Sequence, residues 1–517
     1  MRVLVSFAEV VRGAILTPKN QGATMRSKLI VLGMLIAIGA NAQSTDTRIT
    51  APRFWNDREL ADWATPVAGL NVRPGHFSER DYYAAPKGEW VRTYPVYYPG
   101  REPAGYWEML QQKKPEPLVA AGPRTVREWV AAGKVAFEEM DVPAFRSPDK
   151  DLFAVVRSAA EFAKRGGHAQ KDGTVFGLRW VPTSKGLMIS INDCAGCHTR
   201  IMPDGSRLNG AQFNDPGDGL GGELVTRGIG NFTPGESPGM GTWRQFGVPW
   251  INNDVHETMK SMAPDDLGKL FTSPPGTFPR FNGSPYYMTK VPDLIGIKDR
   301  KYIDHTATHQ LRGPADIMRY AAVVSCCDPA DFGPHRLLTD SQRKIAYTIS
   351  DEVAFAVAQY LFSLEPPANP NLRDPRAAAG KQVFEREGCG GCHTPPLYTN
   401  NKLTLAKGYT APNNHPYRAD IMPSVGTDPN LALKTRKGTG LYKVPSLKGV
   451  WYRGLMHHDG AVSTLEEWFN PARLQDDFVP SGFKGVGVTH RAVPGHEFGL
   501  KLSEQDKASL IAFLKTL

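Results

Sequence analysis

The chain is poor in three things, and each shortage excludes something. It has 6 cysteines in 517 residues. Four stand in two Cys-x-x-Cys pairs, and the others are the adjacent Cys326 and Cys327. A structural zinc site asks for four nitrogen or sulfur ligands, and those two leftovers do not supply them to either pair. Basic runs are missing, so the formal charge of +9 reads as a mildly basic solvated surface and argues for no nucleic-acid partner. Long apolar runs are missing too. The stretch 29–40 is too short for a bilayer span, and no later stretch could make one.

The short apolar stretch has another reading. Arg26 and Lys28 precede it, and Ala40-Asn41-Ala42 is a small-x-small cleavage site before Gln43. Residues 1–42 therefore read as an over-long start, with Met25 as the true one, followed by an export signal. The mature protein is expected in the periplasm or secreted. In such a compartment Cys326 and Cys327 are either a vicinal disulfide or two partly buried thiols.

What is present is organised around Cys194-Ala-Gly-Cys-His198, which recurs as Cys389-Gly-Gly-Cys-His393. Two cysteines separated by two residues, with histidine directly after, form the attachment signature of a c-type haem. Cys194, Cys197, Cys389 and Cys392 would hold two porphyrins by thioethers. His198 and His393 would be the proximal iron ligands.

A repeat search gives the organisation. Ala132-Gly-Lys-Val-Ala-Phe-Glu138 recurs as Ala379-Gly-Lys-Gln-Val-Phe-Glu385. Lys290-Val-Pro-Asp-Leu-Ile-Gly296 recurs as Lys443-Val-Pro-Ser-Leu-Lys-Gly449, and 350–364 recurs as 503–517. With the haem motifs, four matches in one order predict two tandem cytochrome c-type modules, 124–364 and 376–517. The linker is 365–375, and 43–123 is an aromatic and Pro-rich arm packing its rings on the modules. The expected fold is mainly α with long loops. Each module opens with a helix, the first capped by a Thr125/Glu128 box, and closes with an amphipathic helix capped by Ser350 or Ser503. Module one carries insertions before its haem motif and after it. The later one includes 217–222 and 242–252, with Trp243 and Trp250 as possible electron carriers or plain core.

The sixth iron ligand decides the chemistry, because a closed haem passes electrons and an open one binds oxygen or peroxide. His496 lies just before the closing helix of module two and could reach back over its haem. The matching position in module one is Arg343, which is not a haem ligand. His305 and His458 occupy matching positions; they suit a propionate-binding or second-sphere role, or alternatively His305 is a distal ligand. Arg300 and Arg453 also match, and suit propionate pairing.

Residues 376–517 resemble the C-terminal module of bacterial dihaem cytochrome c peroxidases. The likeness rests on the 389–393 motif, Val444-Pro-Ser-Leu447, His458-Asp-Gly460 followed by Thr464-Leu-Glu466, and Ile511-Ala-Phe-Leu514. It implies that one haem receives electrons and the other does the chemistry. It also implies a Ca2+ between the modules near 443–445. The long separation of the motifs, and a histidine before the closing helix, are more similar to the family's dihaem rubber oxygenases, which residues 51–190 match loosely.

Three functions follow as expectations. One is an oxidoreductase that reduces peroxide at an open haem one, with electrons arriving through haem two from a small redox protein or a quinol-linked donor. The second is an oxygenase that activates O2 against an apolar polyene. The third is a relay with both haems closed.

Overall fold

The computed structural model describes residues 47–216, 236–279 and 283–517. The export-signal reading of 1–42 and the insertion at 217–222 lie outside the described residues. No helix among the described residues is long and apolar enough to cross a membrane.

Two helix pairs carry the haem motifs. The first is α1 (Val126–Glu139) against α3 (Asp351–Ser363), with α2 (Pro314–Ser325) packed beside α3. The second is α4 (Ala377–Arg386) against α5 (Glu504–Lys515). The helices begin where capping chemistry starts them. Thr125 and Glu128 form a reciprocal box, while Ser350 and Ser503 accept from the backbone of Val353 and Asp506. The crossing is the same in both pairs. A Cβ on Gly133 would meet the Ala356 carbonyl oxygen at 1.9 Å, and one on Gly380 would meet that of Ser509 at 1.9 Å. Phe137 packs on Tyr360 at 5.5 Å between ring centroids, and Phe384 on Phe513 at 5.3 Å. Glycine is required because the backbones touch there.

The mainly-α expectation is only partly right, since helix takes about 32% and strand about 13%. The strand is concentrated ahead of the first motif. There β1 (Tyr94–Tyr97), β2 (Thr174–Thr183) and β3 (Gly186–Ile191) form an antiparallel sheet in that order, with Leu178 paired to Ile191 and Thr183 to Gly186. Trp180 of β2 packs between Trp107 and Phe153, closing a separate apolar cluster. β3 ends three residues before Cys194, so the sheet aims the first haem motif.

The arm is part of the core. Trp55, Trp63 and Tyr82 are fully buried among residues of α1, α2 and α3. Tyr82 Oη donates to the Ile349 carbonyl and Trp90 Nε1 to that of Thr348, which fixes the arm at the start of α3.

Candidate functional site: two haem motifs with unequal surroundings

The histidine of each motif is oriented by a backbone carbonyl. His198 Nδ1 lies 3.0 Å from the Pro292 oxygen, and His393 Nδ1 lies 3.2 Å from that of Tyr398, with the Pro445 carbonyl also bearing on it. Nδ1 therefore carries the proton, and Nε2 is the nitrogen suited to a metal. Pro292 and Pro445 are the matching prolines of the repeated Lys-Val-Pro loops. The repeat thus marks the loops that steer the proximal rings.

Around the second motif a second histidine faces the first. The His496 ring stands 6.2 Å from that of His393, centroid to centroid. Two imidazoles sharing a metal have this separation, since each metal–nitrogen bond of about 2 Å is extended by the radius of its ring. His496 Nδ1 is buried without a partner, and burial beside His393 pulls the ring down to about 4, so it stays neutral as a ligand must. Its loop is held by Arg473, which is 0% exposed and donates to the carbonyls of Trp468, Val493, Gly495 and His496. The Arg473 guanidinium also lies 4.7 Å over the Trp468 ring, which packs against His496 at 5.4 Å. Gly495, at φ +87, passes so near Gly426 and Thr427 that no Cβ fits.

Around the first motif the described residues enclose a large cavity. Cys194, Cys197 and His198 line a cavity of about 1890 Å³, walled mostly by apolar groups such as Phe176, Phe246, Phe271, Ile317 and Leu361. That exceeds the roughly 300–1,000 Å³ of a pocket for one drug-sized ligand. Arg343 does not enter it, because its guanidinium pairs with Asp331 at 3.1 Å. Module two contributes Arg436 and Lys443 to the wall.

One edge of this site is crowded with cations. Burial, with each cation disfavouring the others, pulls Lys443 down to about 7, Lys290 to about 8 and Arg300 to about 10. Lys443 and Arg300 line the cavity. An excess of enclosed cations is a seat for anions, and the two propionates of a haem supply them. The thiols, the steered imidazole, the apolar space and the cation edge together fit a covalent haem.

The remaining expected residues fall out as follows. Arg453 binds Asp293 at 2.7 Å and the Ser446 carbonyl at 2.6 Å, linking the modules. His305 lies off the cavity wall, with Nε2 2.9 Å from the Lys290 carbonyl. That places it beside the buried cations Lys290 and Lys443. His458 packs on Tyr442, with Nε2 3.3 Å from its hydroxyl. Trp243 lies under Lys260 and Trp250 packs on Phe332, so both sit in local apolar clusters. Cys326 and Cys327 are joined as a disulfide, and Cys326 lines the cavity. Among the described residues, the one group of three potential side-chain ligands is His457, His458 and Asp459.

Sequence reading missed the carboxylates of the cavity wall. Asp304 accepts from the hydroxyls of Thr308 and Tyr320. Asp328 is paired with Lys437 at 2.7 Å, which, with Arg436, holds its carboxyl well below the usual range. Both line the cavity. It also missed Arg473, which no periodicity or motif flags.

No family model and no curated protein matches the chain. Among solved structures it is similar to hydrazine synthase of Kuenenia stuttgartiensis, at 15% identity over 55% of this chain and 89% of that one, with a TM-score of 0.27. It is also similar to a MauG-like protein associated with microbial copper homeostasis, at 19% identity over 32% of this chain and 56% of that one, with a TM-score of 0.21. Likenesses this faint carry no argument about function, which must come from the site itself.

Proposed function

We propose that the chain is an exported dihaem c-type cytochrome oxidoreductase. The second site takes electrons from a small redox protein or quinol-linked donor, and the first site spends them on peroxide. The observation that supports this is the asymmetry: an imidazole at 6.2 Å from His393, against a large cavity beside His198 into which Arg343 does not reach. A haem held by Cys194 and Cys197 would supply the redox chemistry there.

The chain's own residues do the rest. The Pro292 carbonyl fixes the His198 ring, and Arg300 with Lys443 seats carboxylates at the cavity edge. Apolar side chains make up most of the wall, which strengthens the charge interactions they enclose. Asp304, with the Tyr320 hydroxyl on it, is the carboxylate placed to accept or return a proton at the wall.

A second reading has one observation in its favour. The cavity has room for more than a macrocycle, and its lining is apolar, so an oxygenase acting on an apolar polyene shares the same site. The test is electron paramagnetic resonance of the oxidised holoprotein, followed by turnover. The reading expects one low-spin and one high-spin centre, with peroxide consumed at the expense of a reduced cytochrome. Two low-spin centres would leave only an electron relay. Cleavage of a polyene under O2 without peroxide turnover would select the second reading.

A further inference from the structure

The arm carries a set of rings that the proposed reaction does not use. Tyr320 of α2 lines the cavity, and its ring lies 5.6 Å from His309. His309 lies 4.1 Å from Trp63, and Trp63 lies 5.4 Å from His76. His76 lies 6.3 Å from Trp55, which is stacked at 4.6 Å on Tyr82, and Tyr82 is 5.2 Å from Tyr83. His309, Trp63, Trp55 and Tyr82 are buried, while Tyr320, His76 and Tyr83 are partly exposed. A continuous path of ring contacts therefore runs from the cavity wall to the surface, crossing from α2 into the arm.

We propose that this ladder is an electron conduit, by which Tyr83 at the surface gives electrons, one at a time, to oxidising equivalents generated from peroxide in the cavity. The inference rests on the peroxide reading of the first site. Electron transfer weakens exponentially with distance, so short steps between easily oxidised rings outrun one long jump. Trp63, Trp55, Tyr82 and Tyr83 are such rings, and the two histidines bridge the gaps between them. Burial holds His309 well below its ordinary value and His76 at about 4, so both bridges are neutral and put no charge on the path. Both indole N–H groups are satisfied, Trp63 on the Gln310 carbonyl and Trp55 on that of Phe77, each at 3.0 Å.

The surface end is equipped to lose a proton with its electron. The Tyr83 hydroxyl lies 3.1 Å from the Asp351 carboxylate, while the Arg53 guanidinium stands 3.7 Å over the ring. A cation there opposes a charged radical and favours the neutral phenoxyl. Hydrogen peroxide taken to two waters needs two electrons and two protons. Each electron leaves one Tyr83 phenol, whose proton passes to Asp351 and on to solvent. A dissolved phenol or hydroquinone restores Tyr83 by giving up one hydrogen atom, so two such donors are spent per peroxide.

The test mixes holoprotein with hydrogen peroxide and a nitroso spin trap, without reductant. Adducts are mapped by peptide mass spectrometry, and peroxide consumption is followed in the same samples. The expected result is an adduct on Tyr83 that is lost in Tyr83→Phe, with unchanged haem absorption reporting that the variant folds. It should also fall in Trp55→Phe and Trp63→Phe, whose unchanged haem absorption reports intact sites. Peroxide consumption with adducts confined to Tyr347 and Trp90, a ring pair 6.1 Å apart that also starts at the cavity wall, overturns the ladder and spares the peroxide reading. A Tyr83 adduct undiminished in both tryptophan variants does the same. Absence of peroxide consumption overturns both.

Discussion

His393 is faced by another imidazole, held in a loop that a buried arginine ties down at four carbonyls. His198 opens on a cavity whose far walls come from the arm, from α2 and from the other module. Yet the helix pairs beneath the two motifs are built alike, down to the glycine at each crossing. The difference between the sites therefore lies in loops laid over a common frame, and function is to be sought where the frame stops repeating.

The comparison breaks most completely at His496. His496→Ala should turn the low-spin centre of module two high-spin and abolish turnover, leaving two open sites where there was one. An unchanged low-spin signal would show that some other group faces His393. Arg473→Met should come next. It removes the donors to four carbonyls at a fully buried position, and a buried acceptor left unpaired costs about 1–3 kcal/mol. Urea unfolding measures the loss, and the spectrum should show partial loss of the sixth ligand, since His496 is then free to swing. Gly133→Ala and Gly380→Ala sharpen the comparison from the other side. Each pushes a methyl to within 1.9 Å of a carbonyl oxygen, an overpacking of about 1–3 kcal/mol or more. The two losses should match, because the crossings do.

Both Cys-x-x-Cys-His motifs, and the helix starts at Thr125, Ser350 and Ser503, are legible in the sequence. Each is written in local spacing or in a single capping side chain. The unequal counterparts His496 and Arg343 are legible too, through the repeat. The sheet ahead of the first motif is not, since β2 contains Gly177, Arg179 and Pro182 and is a strand because β1 and β3 pair with it, β1 from far along the chain. Arg473 and the Arg453–Asp293 pair are equally hidden. A buried arginine looks like any surface arginine until the partners that neutralise it, distant in sequence, are brought to it. The cavity carboxylates Asp304 and Asp328 escaped for the same reason.

The cation edge gives a pH test with a definite sign. Lys443 at about 7 and Lys290 at about 8 lie below the ordinary lysine value of 10.5. Between those values the unfolded chain binds more protons than the folded one. Stability should therefore rise with pH from about 7 to about 10 and be flat below, where both forms are protonated. Carboxylates seated on these amines raise them and remove the slope. The melting temperature of the intact holoprotein should thus vary little across that window, and that of a Cys194→Ala/Cys197→Ala variant should climb. Equal slopes would mean that nothing anionic sits on Lys443 and Lys290.

The smallest effect is expected at Arg343, the module-one counterpart of His496. Its pair with Asp331 is only partly shielded from solvent, and such pairs contribute about 0–1 kcal/mol. Arg343→Ala should leave the high-spin signal, peroxide turnover and, within about 1 kcal/mol, the unfolding free energy unchanged. Arg343→His is the sharper probe, because it writes the ligand of one module into the matching position of the other. The position is anchored on the Asp331 hairpin rather than on an Arg473-like clamp, so the new imidazole should stay out of the cavity and the first site should stay open. A new low-spin centre in that variant would show that a single side chain separates the two sites, and that the clamp behind His496 is dispensable.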